Sequence, residues 1–89
     1  MVKWQSAMLA FAMAAAASAA EQSLTLKVEG WHSKGDAYKT EQAVRQVKGV
    51  RSASSDSGAR QLTVVYDDAA TSVAEIQKAV VSAGYLSHR

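Results

Sequence analysis

The sequence predicts an α+β domain built from two successive strand–helix–strand units. Two patterns lead to this fold class, and the N-terminal composition and the chain length set the extent of the domain. Two segments alternate between apolar and polar residues, as half-buried strands do, and two others repeat apolar residues at helical spacing. The first twenty residues have a separate composition, typical of an export signal. With 89 residues, the chain is long enough for one small core.

The N-terminal segment, residues 1–20, predicts a secretory signal peptide. It carries one lysine and an uninterrupted apolar run over residues 7–17, and its small residues suit cleavage before Ala20 or Glu21. A membrane-spanning helix needs about 20 apolar residues, and this run is shorter. We therefore expect a periplasmic or secreted domain over residues 21–89 that is not embedded in the membrane.

Composition excludes several classes of function. Removal of Lys3 with the signal would leave nine Lys and Arg residues against eight Asp and Glu, which lowers the formal charge from +2 to +1. This balance gives no support to nucleic-acid binding. The chain has no cysteine, so it has no disulfide, thiolate metal ligand or cysteine nucleophile.

The first unit begins with a strand over Ser23–Glu29, because its apolar residues alternate strictly until Gly30. A helix is predicted from about Asp36 to Lys48, where apolar residues recur at three- and four-residue spacings. The segment Val50–Ser55 predicts a second strand. Its serines favour an edge position in the sheet.

The second unit repeats this order. A turn over Asp56–Ala59 precedes the strongest strand pattern, Leu62–Tyr66. Ser72–Glu75 has the spacing of a capping box and starts the second helix, and Gly84 stops that helix before a strand over Tyr85–His88. The order βαββαβ predicts a ferredoxin-like sandwich: a four-stranded antiparallel sheet with both helices on one face and the first and third strands central.

Several short motifs resemble the heavy-metal-associated domain family, most closely its exported carriers of the mercury-binding type and its copper chaperones. In that family the first strand ends in Gly-Met-x-Cys-x-x-Cys, and the following helix closes with Ala-Leu or Ala-Val and then Gly-Val. Gly30, Ala43-Val44 and Gly49-Val50 match this pattern without a gap. Val64 to Asp68 resembles the family's third strand and its exit, and Ala83-Gly84-Tyr85 resembles the tripeptide before its fourth strand.

The metal loop departs from the family pattern. Trp31 stands at the methionine, and Ser33 and Asp36 stand at the two cysteine positions. Soft ions such as Cu(I) and Hg(II) prefer thiolates, whereas a serine hydroxyl stays protonated and a carboxylate is a hard ligand. The spacing from Ser33 to Asp36 is that of a capping box, with Asp in place of Glu. We expect helix capping at the former cysteine positions and no cofactor.

Weak binding of a divalent transition metal is the alternative. His32, as a neutral imidazole, and Asp36 could form a mixed nitrogen and oxygen site for Cu(II), Zn(II) or Ni(II). His88 lies three residues past Tyr85, roughly 10 Å along a strand that leads away from the loop, so we do not expect it to join them. Both histidines also suit solvated positions on a loop and near the chain terminus.

The same loop is a candidate contact surface. Trp31 either fills the core beneath the loop or stays exposed, and in the second case it would form an aromatic and polar patch. That patch would comprise Trp31, His32, Lys34, Tyr38 and Tyr85. The two tyrosines also suit ordinary packing at the end of the sheet. A helix start with Lys34 could also attract an anion.

The resemblance implies docking of a monomer onto an envelope protein such as a metal transporter, since family members dock through this end. No histidine and carboxylate set converges for catalysis, and the chain is too short for a deep cleft. We therefore predict a binding module and not an enzyme.

Overall fold

The strands and helices occur in the predicted order. The computed structural model describes residues 20–89, so the predicted signal peptide, except for Ala20, lies outside the described residues. The elements are β1 (Glu21–Glu29), α1 (Lys34–Arg45), β2 (Val50–Asp56), β3 (Gln61–Asp67), α2 (Val73–Ser82) and β4 (Leu86–His88).

The four strands form one antiparallel sheet in the order β2-β3-β1-β4. The two central strands are β1 and β3, which have the clearest alternation in the sequence, and the serine-rich β2 lies at an edge, as predicted. Leu24 faces Val64 across the central pair, and Leu26 faces Leu62. The ferredoxin-like fold class predicted from the sequence is therefore confirmed.

The core lies between the sheet and the two helices. Alternate residues of β1 and β3 are buried on the helix side, whereas Thr25, Lys27 and Thr63 are exposed on the other face. Removal of the buried apolar side chains from water is the main force that holds the helices on the sheet. The fully buried side chains include Leu26, Val28, Val44, Leu62, Val64, Ile76 and Val80. Within residues 20–89, no helix is long and apolar enough to cross a membrane.

Helix α1 lies slightly earlier in the chain than predicted, over Lys34–Arg45 instead of Asp36–Lys48. It begins directly after its N-cap, Ser33, which satisfies a backbone N–H of the first turn. At its end, the N–H groups of Gln46 and Val47 donate to carbonyls three residues back, at 3.3 and 3.0 Å. This tightening ends the helix before Lys48.

Helix α2 ends in a Schellman motif, which places Tyr85. Gly84 has a φ of +105° and donates its N–H to the Val81 carbonyl at 2.9 Å, and the Tyr85 N–H donates to the Val80 carbonyl at 3.1 Å. Because its backbone completes the helix end, Tyr85 precedes β4, which begins at Leu86 and not at Tyr85 as predicted.

Candidate functional site

Three loops meet at the end of the sheet where β1 finishes. The first is the β1–α1 loop, residues 30–33; the second is the β2–β3 turn, residues 57–60; and the third contains Tyr85. Gly30 has a φ of +104°, and a Cβ at this position would lie 3.1 Å from the Tyr85 ring. Gly30 is therefore required both by its backbone conformation and by the close approach of Tyr85. We call this region the loop end.

Ser33 and Asp36, the two residues that the resemblance sets at cysteine positions, serve the start of α1. The Ser33 hydroxyl accepts a hydrogen bond from the Asp36 N–H at 3.3 Å. Asp36 Oδ2 in turn accepts the His32 N–H at 2.8 Å. A standard capping box would direct the carboxylate to the N–H of the cap residue itself, here Ser33. The bond instead reaches one residue further back, so Asp36 fixes the loop as well as the helix.

The environment of Asp36 favours its ionised form. The hydrogen bond from the His32 backbone N–H lowers the pKa of this carboxyl below its ordinary value of 3.8, and the Tyr85 hydroxyl and the positive charge of Lys39 lower it further. Burial and the neighbouring Asp36 carboxylate raise the pKa of Tyr85. At neutral pH, Asp36 is therefore an anion and Tyr85 a neutral donor.

Tyr85 links the loop that follows α2 to the β1–α1 loop. Its ring packs on Gly30, and the Lys39 Nζ lies 5.8 Å from the ring centroid, within the range of a cation–π interaction. Its hydroxyl lowers the pKa of the Asp36 carboxyl. These contacts hold the polar groups of the loop end together.

Trp31 belongs to the core, and its interpretation as a partner contact was wrong. The residue is only 6% exposed. Its indole Nε1–H donates to the Thr40 hydroxyl at 2.8 Å, and this hydroxyl donates to the Asp36 carbonyl at 3.0 Å. An indole with a buried acceptor for its N–H gains more from packing than from exposure. The packing alternative is the one that the structure supports.

The other predicted contact residues remain accessible. His32, Lys34 and Tyr38 are exposed, with Tyr38 at 62%, and Tyr85 is half-buried. Lys34 lines two open concavities: one with Tyr38 beside the end of β2, and one with His32 beside the β2–β3 turn. The structure therefore brings His32, Lys34 and Tyr38 to one surface.

His88 does not join His32 and Asp36. It pairs with Lys27 in the sheet, and its Nδ1 lies 3.5 Å from Glu29 Oε2. Among the residues that the structure describes, no cluster of three or more His, Cys, Asp or Glu side chains could hold a metal ion. Within this part of the chain, a metal at His32 and Asp36 would have two side-chain ligands.

Arg60 is a surface residue of the loop end that the sequence did not reveal. It has a φ of +57° although it is not glycine, and its carbonyl accepts the Val28 N–H at 2.9 Å. It lines the concavity beside His32 and Lys34 and a second one beside Gly30. A left-handed residue in a hairpin turn is normally read from Gly or Asn, so the sequence held no signal for it.

Comparison with known proteins gives one matching family pattern and two similar relatives. The sequence pattern of the heavy-metal-associated domain matches residues 25–85. The "Mercuric transport protein periplasmic component" of Pseudomonas aeruginosa is 38% identical over 69 residues, which cover 78% of this chain and 76% of that protein. The protein of the same name from Pseudomonas fluorescens is 36% identical over 87 residues, covering 98% and 96%.

A solved structure agrees with the sequence relatives. The crystal structure of oxidised MerP from Ralstonia metallidurans CH34 superposes with a TM-score of 0.75 and 36% identity, covering 78% of this chain and 96% of that one. The matched pattern runs from the middle of β1 to Tyr85 and so includes both Ser33 and Asp36. Both residues therefore lie inside the matched region and not at its margin.

Proposed function

Since the chain belongs to the heavy-metal-associated domain family, we propose that it is a periplasmic binding module that retains the docking end and has exchanged the thiolate site for a helix cap. One observation carries the proposal: the Asp36 carboxylate, at a former cysteine position, accepts the His32 N–H at 2.8 Å. The sequence contains no cysteine that could replace the lost thiolates. The names of the relatives, periplasmic components of mercuric transport, favour the envelope as its location.

The loop end offers a surface for a protein partner. His32 is exposed there, Lys34 and Tyr38 are exposed on the adjoining first turns of α1, and Arg60 extends the surface towards β1. Within residues 20–89, the ion pairs involve neither Lys34 nor Arg60, so both cations can pair with carboxylates of a partner. A membrane metal transporter is the partner class that the relatives' names suggest. Binding and not catalysis is the proposed activity.

Site-specific photo-cross-linking tests the docking surface. A cross-linking amino acid replaces Tyr38 at the loop end or, as the control, Val81 on α2, which is similarly exposed at 55%. We expect one discrete adduct with a membrane protein from position 38, lost when Lys34→Ala is added and retained with Lys48→Ala. Equal adducts from both positions, or retention of the adduct in Lys34→Ala, would contradict the proposal.

Weak carriage of Cu(II), Zn(II) or Ni(II) through His32 and Asp36 is a second candidate. The hydrogen bond from the His32 N–H to the Asp36 carboxylate favours it, because it holds a carboxylate next to a residue with an exposed imidazole. Calorimetry with each ion decides between the candidates. Saturable heat that disappears in His32→Ala but persists in His88→Ala would establish metal carriage. Equal heats for all three proteins would remove it.

A further inference from the structure

The outer edge of β2 is covered by two side chains of α1. Glu41 Oε2 accepts the Ser55 N–H at 2.8 Å and the Ser55 hydroxyl at 2.5 Å. Arg45 donates to the Ala53 carbonyl through Nε at 3.2 Å and Nη2 at 2.8 Å. The two side chains also pair with each other at 3.4 Å. We call Glu41 and Arg45 the edge clasp.

The groups that the clasp occupies are those that an added strand would need. Ser54 pairs with Thr63 and directs its backbone N–H and C=O to β3. Because these directions alternate along a strand, the backbone groups of Ala53 and Ser55 point away from β3, past the edge of the sheet. In an antiparallel pair of two β2 strands centred on Ser54, Ala53 of one copy would lie opposite Ser55 of the other. Those two residues would exchange N–H···O bonds through the Ala53 carbonyl and the Ser55 N–H.

The opposite edge of the sheet has a related arrangement. Ser87 in β4 lies opposite Val28, whose N–H is directed to Arg60 on the other side of β1, so the Ser87 carbonyl points outwards. Gln77 Nε2 of α2 donates to this carbonyl at 3.2 Å. Gln77 stands two residues before Ala79-Val80, as Glu41 stands two residues before Ala43-Val44. Each helix thus covers the outer edge of the strand that follows it.

We propose that the edge clasp closes a latent self-association surface, and that without it β2 pairs edge to edge with β2 of a second copy of this chain. An uncovered edge strand is a template for strand addition, and natural proteins block such edges with charged side chains. The β2 strand is seven residues long, whereas β4 has three residues, so β2 is the edge with more ladder to offer. A copy of the same strand satisfies the alternation of donors and acceptors by two-fold symmetry.

The test measures mass and cross-linking in the full chain. Glu41→Ala/Arg45→Ala removes the clasp, and Glu75→Ala/Lys78→Ala is the control, because it deletes an ion pair of α2 that lies on neither edge strand. Size-exclusion chromatography with light scattering should show a concentration-dependent dimer for the first variant. The control variant and the wild type should keep the monomer mass.

Cysteine substitution identifies the surface, since the native chain contains no cysteine. In the proposed dimer the two Ser54 residues face each other as a non-hydrogen-bonded pair, with Cα atoms about 4.5 Å apart, within disulfide range. Ser54→Cys in the clasp-free variant should therefore form an intermolecular disulfide on mild oxidation. Thr63→Cys in the same variant should not, because the two Thr63 positions would lie three strand spacings, roughly 14 Å, apart.

A folded clasp-free variant that stays monomeric would overturn the proposal, and so would a dimer that cross-links no better through Ser54→Cys than through Thr63→Cys. If the double variant fails to fold, Arg45→Ala alone decides the question. Its side chain is 48% exposed, and the substitution frees the Ala53 carbonyl and removes the ion pair with Glu41, while the bonds from Ser55 to Glu41 stay. An increase in Ser54→Cys cross-linking over the wild type supports the proposal, and no increase refutes it.

Discussion

Trp31 and Thr40 form the buried hydrogen bond that holds the β1–α1 loop on the core. Thr40→Val keeps the shape of the side chain but leaves the indole N–H without an acceptor, which costs about 1–3 kcal/mol of unfolding free energy. Trp31→Phe removes the same bond from the other side. Urea unfolding of both single variants and of the double variant should show a double-mutant cost below the sum of the single costs. Strict additivity would contradict the bond.

Asp36 makes the stability of the loop end dependent on pH. The folded state lowers the pKa of this carboxyl, so its contribution is present above the ordinary value of 3.8 and is lost as the pH falls through the lower folded value. We expect wild type to unfold at higher urea than Asp36→Asn at pH 7, with the difference shrinking towards acid pH. Urea titrations across this range measure it. A difference that does not change with pH would refute the assignment.

At the scale of residues, the sequence predicted which residues cap the helix better than it predicted their hydrogen-bond partners. The spacing of Ser33 and Asp36 was sufficient to predict a cap, because that motif depends on local geometry alone. It could not reveal that the carboxylate reaches the His32 N–H, since this depends on how the loop leaves β1. The burial of Trp31 could not be predicted either, because it depends on a hydrogen bond to Thr40, nine residues away in the chain.

Two glycines of the β1–α1 region should respond to substitution in opposite ways. Gly30→Ala places a side chain at a φ of +104° and 3.1 Å from the Tyr85 ring, which should cost about 1–2 kcal/mol or more. Gly35 lies in the first turn of α1, and a Cβ there meets only the Ser33 hydroxyl at 3.5 Å. Gly35→Ala should therefore stabilise the protein by up to about 1 kcal/mol.

Thermal unfolding of these two variants tests the expected loss of stability at Gly30 and the expected gain at Gly35. The melting temperature should fall in Gly30→Ala and rise in Gly35→Ala. If both variants lose similar stability, the loop end does not require the left-handed conformation at Gly30.

The existence and type of each element could be predicted from periodicity, but the bounds of α1 and β4 could not, because they depend on hydrogen bonds at the helix ends.

At the scale of the whole molecule, the order of the strands was predictable and the protection of the edges was not. The strands with the strictest alternation, β1 and β3, are the two central strands of the sheet. Their inward-facing side chains are buried beneath the helices, which is why apolar residues are needed at every second position. The edge clasp joins Glu41 to Ser55 and Arg45 to Ala53, pairs that have no sequence signature of their own. Such contacts emerge only when the helix is placed on the sheet.

The family fold survives here without the residues that would bind a soft metal. Ser33 and Asp36 lie at the start of a regular helix, and the matched pattern extends on both sides of them. Because the scaffold is retained, two substitutions should be enough to rebuild a thiolate pair at the loop end. On the proposed function, the identity of Ser33 and Asp36, and not the fold, decides whether the loop end binds a soft metal.

Hg(II) affinity, measured by competition with a thiol chelator, tests this claim most directly. We predict no competitive binding by the wild type and tight binding of one ion by Ser33→Cys/Asp36→Cys. A control with two distant cysteines, Ser54→Cys/Ser82→Cys, should bind more weakly than the loop variant. Tight Hg(II) binding by the wild type, or none by a folded Ser33→Cys/Asp36→Cys variant, would contradict the claim.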